Sequence, residues 1–135
     1  MSIKQIISDQ VKEPSAGMWS NCLKVNDLLF ISVLTSRDED LKATGGDEYL
    51  QSCNIFNRMQ SLIEASGGSM ADIVKLTIFV TKISEREKVW RARKEFFQGV
   101  FPAASLVEVS GLAEAAITVE IEAIAVLNQG GRAKS

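Results

Sequence analysis

IVKLTIFVT, residues Ile73 to Thr81, is rich in β-branched residues and apolar on nearly both faces, which predicts a central strand. By strand alternation Val74, Leu76, Ile78 and Val80 share one side, with Ile73 and Phe79 on the other. Just upstream, Asp47 can cap a helix whose apolar stripe is Tyr49, Cys53, Phe56 and Ile63, stopped by Gly67 and Gly68. Just downstream, Ser84 to Glu87 reads as a capping box that starts a second helix. That helix has a stripe of Val89, Ala92 and Phe96, and a solvated Glu87–Arg91 pair.

Further out, Leu23 to Leu34 (LKVNDLLFISVL) reads as a hairpin turning at Asn26 and Asp27. It is followed by a polar loop of about a dozen residues, Thr35 to Asp47. Ser105 to Ser110 and the alternating run Thr118 to Leu127 (TVEIEAIAVL) supply two closing strands. The order hairpin, helix, strand, helix, strand, strand predicts an α+β sandwich: one mixed sheet with both helices on one face. Residues 1–129 are expected to form one domain, and 130–135 a frayed tail. Both sides of the Ile73 strand call for cover and two helices cover one. The remaining apolar face predicts a homo-oligomer.

The chain has 135 residues, 46% apolar and 24% charged, with net charge −2. This composition excludes a disordered chain and disfavours nucleic acid as a partner, because phosphate binding needs clustered cations. There is no histidine, which removes Ser-His-Asp and Cys-His catalysis and His-ligated metal sites. Cys22 and Cys53 are too few for a cysteine zinc site, so no metal is expected. Reduced thiols, no apolar leader in MSIKQIISDQVKEP and no membrane-length apolar run point to a cytoplasmic protein.

Candidates for chemistry are few. Glu120 and Glu122 alternate with Val119, Ile121 and Ala123, so both carboxylates share one side of the last strand. Such a pair is either a general acid/base tuned by burial or a salt-bridging group at a sheet edge or interface. Cys53 reads as a core residue, and nothing near Cys22 would activate it. Trp19 and Trp90 read as packing anchors.

Three segments in order, EASGGSMADIVKLTIFVTK, FPAASLVEV and VEIEAIAV, resemble the Rid family, the YjgF-like reactive intermediate deaminases also called endoribonuclease L-PSP. The resemblance runs from about Trp19 to Val126, with one extra residue near Ala115. It implies a chorismate-mutase-like α+β fold. It also implies a homotrimer whose sheets form a central barrel, with three clefts each between two subunits. In the deaminase branch that cleft hydrolyses enamines and imines to 2-keto acids and ammonium without metal or cofactor. An arginine clamps the substrate carboxylate, and a glutamate on the last strand activates water. Glu120 matches that glutamate, and Ser32 and Ser105 match family serines. Val33 and Leu34 replace a Gly-Gln pair, Trp19 a tyrosine and Leu106 a cysteine. Trp90 and Arg93 stand where relatives often carry Asn and Tyr. Ala104 stands where the clamping arginine is expected, so the chain resembles arginine-lacking branches. Arg37 is the nearest substitute anchor.

The resulting expectation is a Rid-like deaminase with Glu120 as general acid/base and an unknown small-molecule substrate. Trp19, Ser32, Val33, Arg37, Trp90, Ala104, Ser105 and Leu106 would line its cleft. The alternative is a non-catalytic trimeric module that binds a small organic acid. Ribonuclease activity, suggested by the family's other name, is disfavoured by the acidic charge and absent histidine.

Overall fold

A computed structural model describes residues 2–130. The strands are β1 (Ile3–Gln5), β2 (Cys22–Val25), β3 (Leu28–Leu34), β4 (Ile73–Val80), β5 (Ala103–Glu108) and β6 (Val119–Val126), and the helices α1 (Glu48–Ala65) and α2 (Arg86–Phe96). They form one mixed sheet in the order β1-β2-β3-β6-β4-β5. Only β4 and β5 run parallel, as the crossover through α2 requires; the other pairs are antiparallel.

The hairpin forms as expected, with Asn26 in the left-handed region that a two-residue turn needs (φ 53°). Asp47 caps α1, its carboxylate accepting from the Leu50 N–H at 2.9 Å. Gly67 (φ +89°) ends the helix. Gly68 has a different reason to lack a side chain, since a Cβ there would lie 2.4 Å from Leu127 Cδ2. The end of α1 can thus sit against the end of β6.

The core lies between the sheet and the helices. Ile55, Phe56, Met59, Leu62 and Ile63 of α1 are fully buried, as are Leu76, Ile78 and Val80 of β4 and Ile121 and Ala125 of β6. Phe56 joins α1 to the end of α2, with its ring centroid 5.2 Å from Phe96 and 5.6 Å from Phe97. The opposite sheet face is uncovered and mixes apolar residues with Lys75, Thr77, Ser105, Glu120 and Glu122. Leu28, Phe30 and Val107 are exposed there, and Ile124 and Val126 are half-buried.

Four details differ from the sequence reading. β1 has no counterpart in it: three exposed residues carry no alternation signal, and the strand exists because it pairs with β2. Val74 does not share the side of Leu76, because the register slips between Ile73 and Lys75 opposite β6. Ile73 is consequently the buried residue and Val74 the exposed one. Ser84 does not cap α2. Residues Ile83–Glu85 form a 3-10 turn whose backbone bonds, Glu85 to Lys82 among them, satisfy the entry to the helix. Arg91 does not pair with Glu87; its guanidinium lies 4.0 Å from the centre of the Tyr49 ring on α1. Apart from Gly130, the expected tail lies outside the described residues.

Candidate functional site

A row of polar residues on one side of α1 organises the loops at one end of the sheet. Gln51, Asn54 and Arg58 follow at steps of three and four, so they stack along the helix. Buried Gln51 donates to the carbonyls of Gly46 (2.9 Å) and Ala116 (3.0 Å), and its side-chain oxygen accepts from the Thr118 N–H (3.0 Å). Asn54 accepts from the Arg37 N–H at 3.1 Å. Arg58 donates to the Thr35 carbonyl at 2.7 Å. The loop leaving β3 and the loop entering β6 are thereby held by side chains of a rigid helix.

Between these loops, beside the end of β3 and the start of β6, lies a cavity of about 330 Å³. Trp19, Val33, Arg37, Arg58 and Glu120 line it, together with Met18. Glu120 is half-buried and pairs in register with Phe79 of β4. Among the described residues its carboxylate has no hydrogen bond or ion pair. Burial, and then the negative charge of Glu122, push its pKa above the usual carboxylate value.

Arg37 lies in the cavity, but three of its five N–H donors are occupied. Nε donates to Thr35 Oγ1 at 2.9 Å, and Nη1 to the Leu41 carbonyl at 2.8 Å and to the Glu114 carboxylate at 2.9 Å. Arg58, which the sequence reading does not single out, has only its Thr35 bond among the described residues. A signal for it exists: it falls three residues after Ile55 and four before Leu62, a charge within an apolar stripe.

The other expected site residues lie elsewhere in the chain. Ser32, whose N–H donates to the Asn21 carbonyl at 2.9 Å, sits in the irregular stretch of β3 next to Val33. Ala104, Ser105 and Leu106 are on the edge strand β5. Ala104 is exposed, Ser105 Oγ accepts from Lys75 at 2.9 Å, and Leu106 packs against the core. Trp90 is half-buried on α2, with the Arg86 guanidinium 5.6 Å from its ring centre. Cys22 is fully buried, and burial, then the Glu13 charge, push its thiol up to about 11, which disfavours the reactive thiolate. No helix among the described residues is long and apolar enough to cross a membrane.

The chain is thus a small α+β protein, a mixed sheet covered by helices on one face, with a loop-walled cavity at one end of the sheet. Residues 10–127 match the family model described as Endoribonuclease L-PSP, and the chain belongs to this family, which includes the Rid and YjgF proteins. It is similar to a 2-iminobutanoate/2-iminopropanoate deaminase of Dermatophagoides farinae, 34% identical over 94% of this chain and 99% of that one. Among solved structures it resembles the Pseudomonas aeruginosa protein PA3499, with 34% identity, TM-score 0.85 and 94% of each chain covered. It also resembles RidA from the Antarctic bacterium Psychrobacter sp. PAMC 21119, with 26% identity and TM-score 0.84 over 92% of this chain and 99% of that one.

Proposed function

We propose that this protein hydrolyses enamines or imines derived from small acids, with Glu120 as general acid/base. The observation that carries this reading is the Glu120 carboxylate itself: half-buried, unpaired among the described residues, and facing a cavity. As the anion it takes a proton from a water that attacks the imine carbon, giving a tetrahedral carbinolamine. Returned to nitrogen, that proton completes the neutral carbinolamine; Glu120 then takes the hydroxyl proton and passes it to nitrogen, the C=O forms as the C–N bond breaks, and ammonia leaves. In sum, one imine and one water give one ketone and one ammonia. A carboxyl pKa raised by burial suits a group that must both accept and release a proton. The similarity to the mite deaminase supports the reaction class.

The exposed apolar residues of the uncovered face support association of copies through their sheets; in this reading the assembly is a cytoplasmic homotrimer with the sheets facing inward around a central barrel. Residues 1–129 would act as one domain in it. A neighbouring protomer would then bring Trp90 of its α2 and Ala104, Ser105 and Leu106 of its β5 edge over the cavity, completing an intersubunit cleft with Trp19, Ser32, Val33 and Glu120. Neither a metal nor a cofactor enters the scheme. Alanine at 104 has no fork to clamp a carboxylate, so the substrate is held differently from that of arginine-bearing relatives.

The test is to generate 2-iminopropanoate and 2-iminobutanoate in situ and follow ammonium and 2-keto acid with the pure protein. Release faster than in buffer is expected. Rates equal to buffer for both would overturn this reading, leaving a binding module as the alternative.

A further inference from the structure

Three cations border the cavity, and they are not equivalent. Lys12 stands at the exposed rim. Arg37 is braced by Thr35, Leu41 and Glu114. Arg58 donates one N–H to the Thr35 carbonyl, and a guanidinium has five. Its remaining donors meet no partner among the described residues. No ion pair joins Arg58 to Glu120 there either, so the two lie in one cavity without neutralising each other. Burial and the nearby Arg37 charge both press on the Arg58 cation, as its lowered pKa reflects. An anion beside it would offset both. Most of the remaining wall is apolar, with Trp19, Met18, Val33 and Leu41, beside polar Ser15, Asn21 and Thr35 and the Glu120 carboxylate.

We propose that Arg58 is the anion anchor of this cavity, taking in its free fork the carboxylate of a small acid whose apolar or aromatic body lies against Trp19 and Val33. The site would serve in place of a clamp at Ala104, from α1 rather than from β5. The volume, about 330 Å³, is at the small end of ligand pockets and suits an acid of modest size. Opposite charges at Arg58 and Glu120 would orient such an acid, carboxylate toward the helix and the rest toward β6. This deepens the hydrolase reading and rests on it only for the chemistry after binding.

Benzoate and its neutral isostere benzamide are the probes, titrated into the full chain by calorimetry or ligand-observed NMR. Saturable benzoate binding is expected, with benzamide weaker by about tenfold or more, the usual range for a charge-assisted contact. Arg58→Met should weaken benzoate by a similar factor and bring it near benzamide. Arg58→Lys keeps a donor for the Thr35 carbonyl and the charge but not the fork, and should fall between. Melting temperatures report whether each variant folds. If Arg58→Met does not, Arg58→Lys and the wild-type preference for benzoate carry the test. Absence of benzoate binding, equal affinity for the two probes, or a loss confined to Arg37→Gln would overturn the assignment. Because binding is read without turnover, imine hydrolysis at the buffer rate with intact benzoate binding would remove the hydrolase and leave the anchor.

Discussion

Along β6, Val119, Ile121, Ala123 and Ala125 are buried on the side of α1, whereas Glu120, Glu122, Ile124 and Val126, one residue out of phase, are only half-buried. One strand thus carries two sets of residues under different constraints. The covered set is uniformly apolar and small or branched, as close packing against a helix demands. The uncovered set mixes two carboxylates with two branched apolar residues. The carboxylates lie toward the start of the strand, near the cavity, and the apolar residues toward its other end. Folding depends on the first set. Chemistry and association, on the account proposed above, draw on the second.

Ile121→Ala tests the covered side most severely. The side chain is fully buried, so about 2–5 kcal/mol of stability should be lost in denaturant unfolding. Ile124→Ala, on the other side of the same strand, should lose clearly less when measured on dissociated protomer. Similar losses would mean that the two faces are not different in kind.

Phe30→Asp addresses the uncovered side. Phe30 is 44% exposed and lies opposite Ile124 in register, so a charge there costs the protomer little. Between closed sheets it would be desolvated without a partner, several kcal/mol per ion. Sedimentation should show trimers falling apart while far-UV circular dichroism is retained. An unchanged mass would remove the inward-facing sheets from the account.

A smaller effect is expected from Glu120→Gln on stability. A carboxyl whose pKa is raised by folding stabilises the native state below its unfolded value, near 4.5, and this contribution is lost as pH rises through the raised value. Above the raised value the charged Glu120 therefore works against folding. Glu120→Gln should raise the melting temperature modestly at pH 7 and lose that advantage at pH 4.

Much of this arrangement is legible in the sequence because the pleat writes itself as alternation. Thr118 to Leu127, the hairpin at Asn26, the Asp47 cap and the bare sheet face all follow from period and turn chemistry. The features that escape are set by partners distant in the chain. β1 exists through β2, and Val74 turns outward because β6 imposes a slip. Arg91 prefers the Tyr49 ring of another helix to its own neighbour Glu87. Arg58 escapes because its role depends on loops that only the fold brings to α1. For the site, the sequence points to Glu120, Trp19, Val33 and Arg37, which do line one cavity. It carries no sign that Arg37 is braced by Thr35, Leu41 and Glu114.

Glu120 and Glu122 offer the most direct measurement, being two residues apart on the same side of the same strand. In imine hydrolysis, Glu120→Gln should lower kcat by about 100-fold or more, the usual contribution of a general acid/base. Glu122→Gln should keep kcat within about threefold. It should also move the acidic limb of the pH profile downward, because Glu122 is one of the two causes that raise Glu120. Equal losses for the two variants, or a larger loss for Glu122→Gln, would contradict the assignment of the chemistry to Glu120.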